Sequence, residues 1–160
     1  MRKLALIGIA AIGKLVTLYL LVVHLQHSEA VCPIGSASGC AIAAASNYAK
    51  IGDVPTALAG FIVWVLLLFF AIQYYRNQKN IWPILGLSAV GVAAAGYYNA
   101  AMLVKLQTVC VWCEMSHALM LGTFFVAASL AYGHQPRWAL KTLAVAVALF
   151  IVPFVIALTV

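Results

Sequence analysis

Five apolar runs account for most of this chain. They are residues 4–25, 56–75, 81–106, 109–132 and 138–160. A helix needs about 20 mostly apolar residues to cross a bilayer, so each run is long enough. The only sizeable hydrophilic segment, 26–55, contains an Ala-rich stretch that predicts a short surface helix ending near Gly52. The pattern therefore predicts an all-α integral membrane protein with five transmembrane helices, residues 1–160 forming a single membrane domain.

The composition supports the same class of protein. Of the 160 residues, 66% are hydrophobic and only 8% are charged, which lies far outside the range of a soluble globular domain. The formal net charge of +6 does not indicate nucleic acid, because the basic residues stand at the ends of apolar runs and form no patch. Membrane lipid, rather than nucleic acid, is the expected surrounding partner.

The distribution of charge predicts the orientation of the helices. Six of the nine Lys and Arg residues fall on one side of the alternating topology: Arg2, Lys3, Arg76, Lys79, Arg137 and Lys141. The three acidic residues, Glu29, Asp53 and Glu114, all fall on the other side. Basic residues accumulate in cytoplasmic loops. We therefore expect a cytoplasmic N-terminus, with the loop 26–55 facing outward.

The first apolar run leaves two interpretations open. Lys14 stands near its middle, where a lysine costs about 2.5–3.5 kcal/mol on insertion scales; it either snorkels toward the interface or has a functional role. Alternatively, residues 1–30 are a signal peptide. The length of the apolar run and its interruption by Lys14 favour a transmembrane helix.

The chain has four cysteines, and the predicted topology puts all of them on the outward side. Cys110 and Cys113 are three residues apart at the start of an apolar run, so both lie on one helix face. The helix N-terminus favours the thiolate of the first. Cys32 and Cys40 flank a pliable segment rich in Gly and Ser.

Redox chemistry is the interpretation that suits these four thiols best. A disulfide between Cys110 and Cys113 closes too small a loop to stabilise a fold much. Zinc sites usually combine two short Cys pairs, whereas Cys32 and Cys40 are separated by seven residues. We therefore predict thiol–disulfide exchange and no metal.

Three polar residues stand in apolar surroundings near the thiols. Ser116 and His117 follow Cys113 by about one helical turn. Asn99, in the outer half of the third run, is costly if it faces lipid, so it should face the bundle. There it forms either an interhelical hydrogen bond or part of a pocket wall.

Taken together, these motifs resemble the vitamin K epoxide reductase family, especially its bacterial members. The resemblance is carried by the following residues, in chain order: Cys32 and Cys40; Ser46 and Tyr48; Gly52, Pro55 and Gly60; and Cys110, Cys113, Ser116 and His117. It covers roughly the first four apolar runs. The two cysteine pairs at these spacings are the most specific part of it.

The resemblance implies a four-helix bundle around a quinone site near the outer surface. It implies that Cys32 accepts attack by a reduced thioredoxin-like protein, that Cys40 exchanges with Cys110, and that Cys113 reduces the quinone. The quinone would be ubiquinone or menaquinone (vitamin K). We assign five residues to the quinone pocket: Cys113, Ser116, His117, Asn99 and Thr56.

The expected function is that of a membrane thiol:quinone oxidoreductase that supports disulfide bond formation. The expected location is a bacterial inner (plasma) membrane, with the thiols facing the periplasm or outside. Many bacterial family members continue past the fifth helix into a thioredoxin-like domain, which this sequence does not contain; the partner is then a separate protein, or the sequence is truncated. Two alternatives stay open: a vitamin K quinone or epoxide reductase, and a non-catalytic membrane scaffold with structural disulfides.

Overall fold

The computed structural model describes residues 1–26, 37–77, 80–133, 135 and 137–159. Nearly all of this part of the chain is helical. The helices are α1 (Arg2–Leu25), α2 (Ala37–Ala45), α3 (Thr56–Asn77), α4 (Trp82–Ala100), α5 (Val111–Tyr132) and α6 (Trp138–Thr159). A 3₁₀ turn (Asn47–Ala49) leads into an antiparallel hairpin of β1 (Lys50–Ile51) and β2 (Val54–Pro55), and α4 continues into a π-helical turn, Ala101–Lys105. Cys32 and the expectations that rest on it lie outside the described residues.

Five of these helices are long and apolar enough to cross a membrane: α1, α3, α4 together with its π-helical turn, α5 and α6. The prediction of an all-α membrane fold with five such helices is therefore confirmed. The agreement follows from physical necessity, because a spanning segment without water must satisfy its backbone hydrogen bonds within a helix.

Helices α1, α3, α4 and α5 form a four-helix bundle. α1 packs against α3 and α5, and α4 packs against α5 and, less extensively, α3. α6 lies outside the bundle, mainly against α4. The core between the four helices is filled by side chains that are almost completely buried, among them Leu6, Leu67, Ile84 and Phe124.

Glycines allow the closest helix contacts in the bundle. A methyl group at Gly13 of α1 would overlap the indole ring of Trp64 on α3, and one at Gly96 of α4 would overlap the backbone carbonyl of Phe150 on α6. Small residues let membrane helices approach closely, and van der Waals packing then holds them together. These two positions fix how α3 and α6 sit against their neighbours.

The segment before α3 differs from the sequence expectation. The surface helix α2 begins at Ala37 and ends at Ala45, so the chain near Gly52 is not helical. Gly52 has φ 63° and stands in the turn of the hairpin, where Ile51 pairs with Val54. Glycine adopts this left-handed conformation without a steric penalty. It therefore reverses the chain just before α3, whereas the sequence analysis placed the end of a helix there.

Charged groups are segregated along the bundle axis. Within the described residues, the end at which α1 begins carries Arg2, Lys3, Arg76, Arg137 and Lys141, and no Asp or Glu. Asp53 and Glu114 lie at the other end, in the hairpin and the first turn of α5. Which end faces the cytoplasm stays a prediction from this asymmetry.

Candidate functional site

The connection between α4 and α5 places the first thiol. In the π-helical turn, Leu106 N–H donates to the carbonyl of Ala101 (2.9 Å), and Thr108 N–H then donates to Met102 (3.0 Å). Gln107 takes a left-handed backbone conformation, with φ 49°. Such π-helical turns occur frequently at functional sites. Here the wide turn and the left-handed residue end α4 and bring the extended residue Cys110 to the start of α5.

Cys110 is the N-cap residue of α5, and its sulfur accepts a hydrogen bond from the backbone N–H of Cys113 (3.3 Å). Ser, Thr, Asp or Asn usually fills this role. The Cys110 side chain is buried, with 2% of its surface exposed, and both Cys110 and Cys113 carry free thiols. The two thiols thus share the N-terminal turn of α5.

This environment lowers the pKa of the Cys110 thiol below its ordinary value. The largest cause is a hydrogen bond from the Cys113 thiol, and the backbone N–H groups of Cys113 and Trp112 act in the same direction. Burial and the Glu114 carboxylate oppose them. Donors directed at a sulfur favour its charged form. Cys110 is therefore the thiol of the pair that ionises more readily than an ordinary cysteine.

Helix α2 brings a third cysteine to the pair. Cys40 is disulfide-bonded, only 2% exposed, and belongs with Cys110 to one buried cluster. A side chain at Gly39 would come within 2.6 Å of the carbonyl oxygen of Val109. The absence of a side chain at Gly39 therefore allows α2 to lie directly on the segment before α5.

An apolar cavity of about 320 Å³ opens beside the thiols, between α1, α3, α4, α5 and the loop elements. Six of the predicted site residues line it: Cys40, Thr56, Cys110, Cys113, Ser116 and His117. The cavity is within the size range of small-molecule sites, about 300–1,000 Å³. His24 and Tyr98 also line it, and the sequence analysis assigned neither to the site.

Asn99 lies behind His117 and is not among the residues that line the cavity. Its amide nitrogen Nδ2 is 2.9 Å from His117 Nδ1 and donates to the carbonyl of Ala95 (3.1 Å). An amide group has two N–H hydrogens, so one is directed at each acceptor. The ring proton of neutral His117 then resides on Nε2. Asn99 forms the interhelical hydrogen bond, and its assignment to the quinone pocket stays a prediction.

Glu114 is the second polar neighbour of the His117 ring. Its Oε1 lies 3.7 Å from Nδ1, one helical turn away. This distance allows an ion pair if the imidazole gains a proton, and Asn99 supplies the contact to the neutral ring. The Asn99 amide therefore holds the neutral ring, and the Glu114 carboxylate lies beside it without a hydrogen bond.

Ser116 is held by a residue that the sequence analysis missed. Trp64 is 1% exposed, its ring lies on Gly13, and its Nε1–H donates to Ser116 Oγ at 3.2 Å. A buried indole N–H needs a partner. The tryptophan in the middle of the second apolar run was the available signal, because its N–H must find an acceptor on a neighbouring helix.

Thr56 lines the cavity at the start of α3, but its hydroxyl donates to the carbonyl of Ala49 (3.0 Å). Its proton is therefore directed at the loop, and its oxygen can only accept from a molecule in the cavity. Asn99 and Glu114 both approach Nδ1 of His117. The Nε2–H group of the ring is therefore a donor that neither of them contacts.

The fold and the site define a class: a helical membrane protein with a dithiol at the mouth of an apolar cavity, next to a disulfide-bonded cysteine. The comparison with known proteins agrees. The sequence matches the Vitamin K epoxide reductase family over residues 4–128, and the chain belongs to this family. The family expected from the cysteine motifs is thus confirmed.

A curated relative points in the same direction. The chain is similar to thiol-disulfide oxidoreductase LTO1 of Arabidopsis thaliana, with 26% identity over 120 residues. The aligned region is 69% of this chain and 32% of the relative. The chain therefore spans about a third of that protein.

Proposed function

We propose that this protein is a membrane thiol:quinone oxidoreductase. It takes electrons from a thioredoxin-like protein through Cys32 and Cys40, passes them to Cys110 and Cys113, and reduces a membrane quinone. The observation that carries the proposal is the position of the Cys110–Cys113 pair. Both thiols line the apolar cavity, and Cys110 also lies in a buried cluster with Cys40. Membership of the family and similarity to a thiol-disulfide oxidoreductase support the same chemistry.

Each exchange in this pathway moves two electrons between a dithiol and a disulfide. The reduced partner attacks Cys32 and leaves as a disulfide, so Cys32 and Cys40 become thiols. The Cys40 thiolate then attacks the Cys110–Cys113 disulfide at Cys110, and Cys32 releases Cys110 by re-forming its bond to Cys40. In the second of these exchanges Cys32 attacks Cys40, and Cys110 is the leaving group. The lowered pKa of Cys110 suits this release, because a thiol of low pKa is a good leaving group.

The residues of the cavity suit a quinone. Its walls are mostly apolar, and a quinone is an apolar ring with two carbonyl oxygens that accepts two electrons and two protons. His117 Nε2–H and the Ser116 hydroxyl are donors at the wall, one helical turn from Cys113. They orient the ring by its oxygens, while Cys113 and Cys110 lose their protons and electrons and form a disulfide. The outward orientation and the bacterial inner membrane belong to this proposal.

The test is quinone reduction by the purified protein, followed by quinone absorbance. The donor is a reduced thioredoxin-like protein or a small dithiol, and the acceptor is a soluble ubiquinone or menaquinone analogue. We expect turnover with at least one quinone and its loss in Cys113→Ala. Cys32→Ala should lose turnover with the protein donor and keep it with the small dithiol, which enters by the cavity that Cys113 lines.

Two results would count against the proposal. Absence of turnover with either quinone, together with a Cys113→Ala protein that behaves like the parent, would leave a disulfide-bonded membrane scaffold. Equal loss of turnover with both donors in Cys32→Ala would remove the shuttle role of the loop pair. Reduction of a vitamin K epoxide in the same assay would favour the epoxide reductase alternative.

A further inference from the structure

A second cavity, of about 410 Å³, lies at the end of the bundle opposite the thiols. It is a groove between the start of α4, the end of α5 and the start of α6. Phe124 lines the groove, and Met120, one turn earlier on α5, lines the thiol cavity and packs on Gly91. Both side chains are more than nine-tenths buried. This layer separates the groove from the redox site, so the groove is a distinct cavity.

The groove combines an apolar wall with an aromatic rim. Leu85, Ala89 and Val145 belong to the wall, and Val145 is itself 49% exposed on the outer face of α6. Trp82 and Tyr132 meet edge to face at the rim, with ring centroids 5.7 Å apart. Tryptophan and tyrosine accumulate at the level of the lipid head groups. The groove therefore runs from the hydrocarbon region to the interface.

The charge at the rim is positive. Lys141 lines the groove, and Arg137 precedes it by one turn, its carbonyl accepting the Lys141 N–H at 3.2 Å. No Asp or Glu of the described chain lies at this end; Asp53 and Glu114 are at the other. Basic pockets between transmembrane helices bind anionic lipid head groups. The charge thus selects an anionic occupant over a zwitterionic one.

We propose that this groove binds one anionic phospholipid. An acyl chain lies along Leu85, Ala89 and Val145, and the head-group phosphate lies at Lys141 with Arg137 nearby. The proposal does not depend on the redox function, and its test has no activity readout. It assigns a role to α6, which packs outside the bundle and contributes no residue to the thiol cavity.

The test uses the full chain in nanodiscs of phosphatidylcholine that contain brominated phosphatidylglycerol, or brominated phosphatidylcholine for comparison. Bromine quenches tryptophan fluorescence, and Trp82 and Trp138 both line the groove. The variants Trp82→Phe and Trp138→Phe show which of the two residues accounts for the quenching. We expect stronger quenching by the anionic lipid at equal lipid fraction. Lys141→Gln should reduce this preference about five-fold, whereas Arg76→Gln, at the same end but outside the groove, should leave it unchanged.

A second pair of variants tests the groove by filling it. A Cβ at Gly86, which lines the groove, or at Gly8 of α1 meets nothing within 4 Å. Gly86→Leu should abolish the preference, and Gly8→Leu should keep it, with circular dichroism reporting that both fold. Equal quenching by the two lipids, an unchanged preference in Lys141→Gln, or displacement of the lipid by a quinone analogue would each overturn the proposal.

Discussion

The contact between Gly13 and Trp64 connects the packing of the bundle to the site. A methyl group at Gly13 would overlap fused-ring atoms of Trp64, which is buried and hydrogen-bonded to Ser116, so the ring cannot move aside without breaking that bond. Overpacking of this kind costs about 1–3 kcal/mol. We expect Gly13→Ala to destabilise the protein by that amount relative to a matched control, with unfolding in mixed micelles followed by circular dichroism.

Gly8→Ala is the matched control, because it stands on the same helix and a Cβ there meets nothing within 4 Å. Both variants gain the same helix propensity, up to about 1 kcal/mol for Gly to Ala, so this gain cancels in their difference. Adding Trp64→Phe to Gly13→Ala should recover part of the loss, since the smaller ring leaves room, with a coupling energy of about 0.5–3 kcal/mol. Equal stability of the two alanine variants would refute the described contact.

Two further predictions concern the thiol site itself. In a protein that lacks Cys32 and Cys40, Cys113→Ala should raise the pKa of the Cys110 thiol, because the main hydrogen bond to its sulfur is lost. Ultraviolet titration of the thiolate should then show a midpoint at higher pH, with the midpoint of Cys113→Ser closer to that of the parent. An unchanged midpoint would contradict the assignment of this hydrogen bond. Asn99→Leu should slow quinone reduction about two- to ten-fold, the effect of one lost hydrogen bond. Nitrogen NMR of His117 should then show a mixed tautomer in place of the Nε2–H form, and a retained Nε2–H tautomer would count against Asn99 as the residue that positions the ring.

The hydrophobic pattern predicted the long helices well, for a direct physical reason. In lipid, a run of about 20 apolar residues has essentially one backbone solution, the helix, so length alone decides the structure. The cysteine spacing was equally informative, because thiols three residues apart on a helix must share a face. In the structure Cys110 is the extended N-cap residue of α5, and its sulfur meets Cys113 through the capping hydrogen bond.

Contacts between helices were harder to predict, because sequence periodicity gives a face but not its partner. The sequence left open whether Asn99 forms an interhelical hydrogen bond, and only the position of His117 on α5 shows that it does. Gly13 and Trp64 are 51 residues apart in sequence and gave no local signal of their contact. The hairpin at Gly52 was missed because the Ala-rich stretch before it has the composition of a helix.

The spacing of the thiol pair is the feature on which the proposed electron path depends most closely. α5 rises about 1.5 Å per residue, so Cys113 lies roughly 4.5 Å further along the helix axis than Cys110. Both thiols line the apolar cavity, and Cys110 also belongs to the buried cluster that contains Cys40. A thiol one residue earlier would replace Trp112, which packs at a tilt against Tyr19 with a centroid distance of 4.9 Å. One residue later it would replace Glu114, which does not line the cavity. A spacing of three residues therefore places both thiols at the cavity, with one of them in the buried cluster of Cys40.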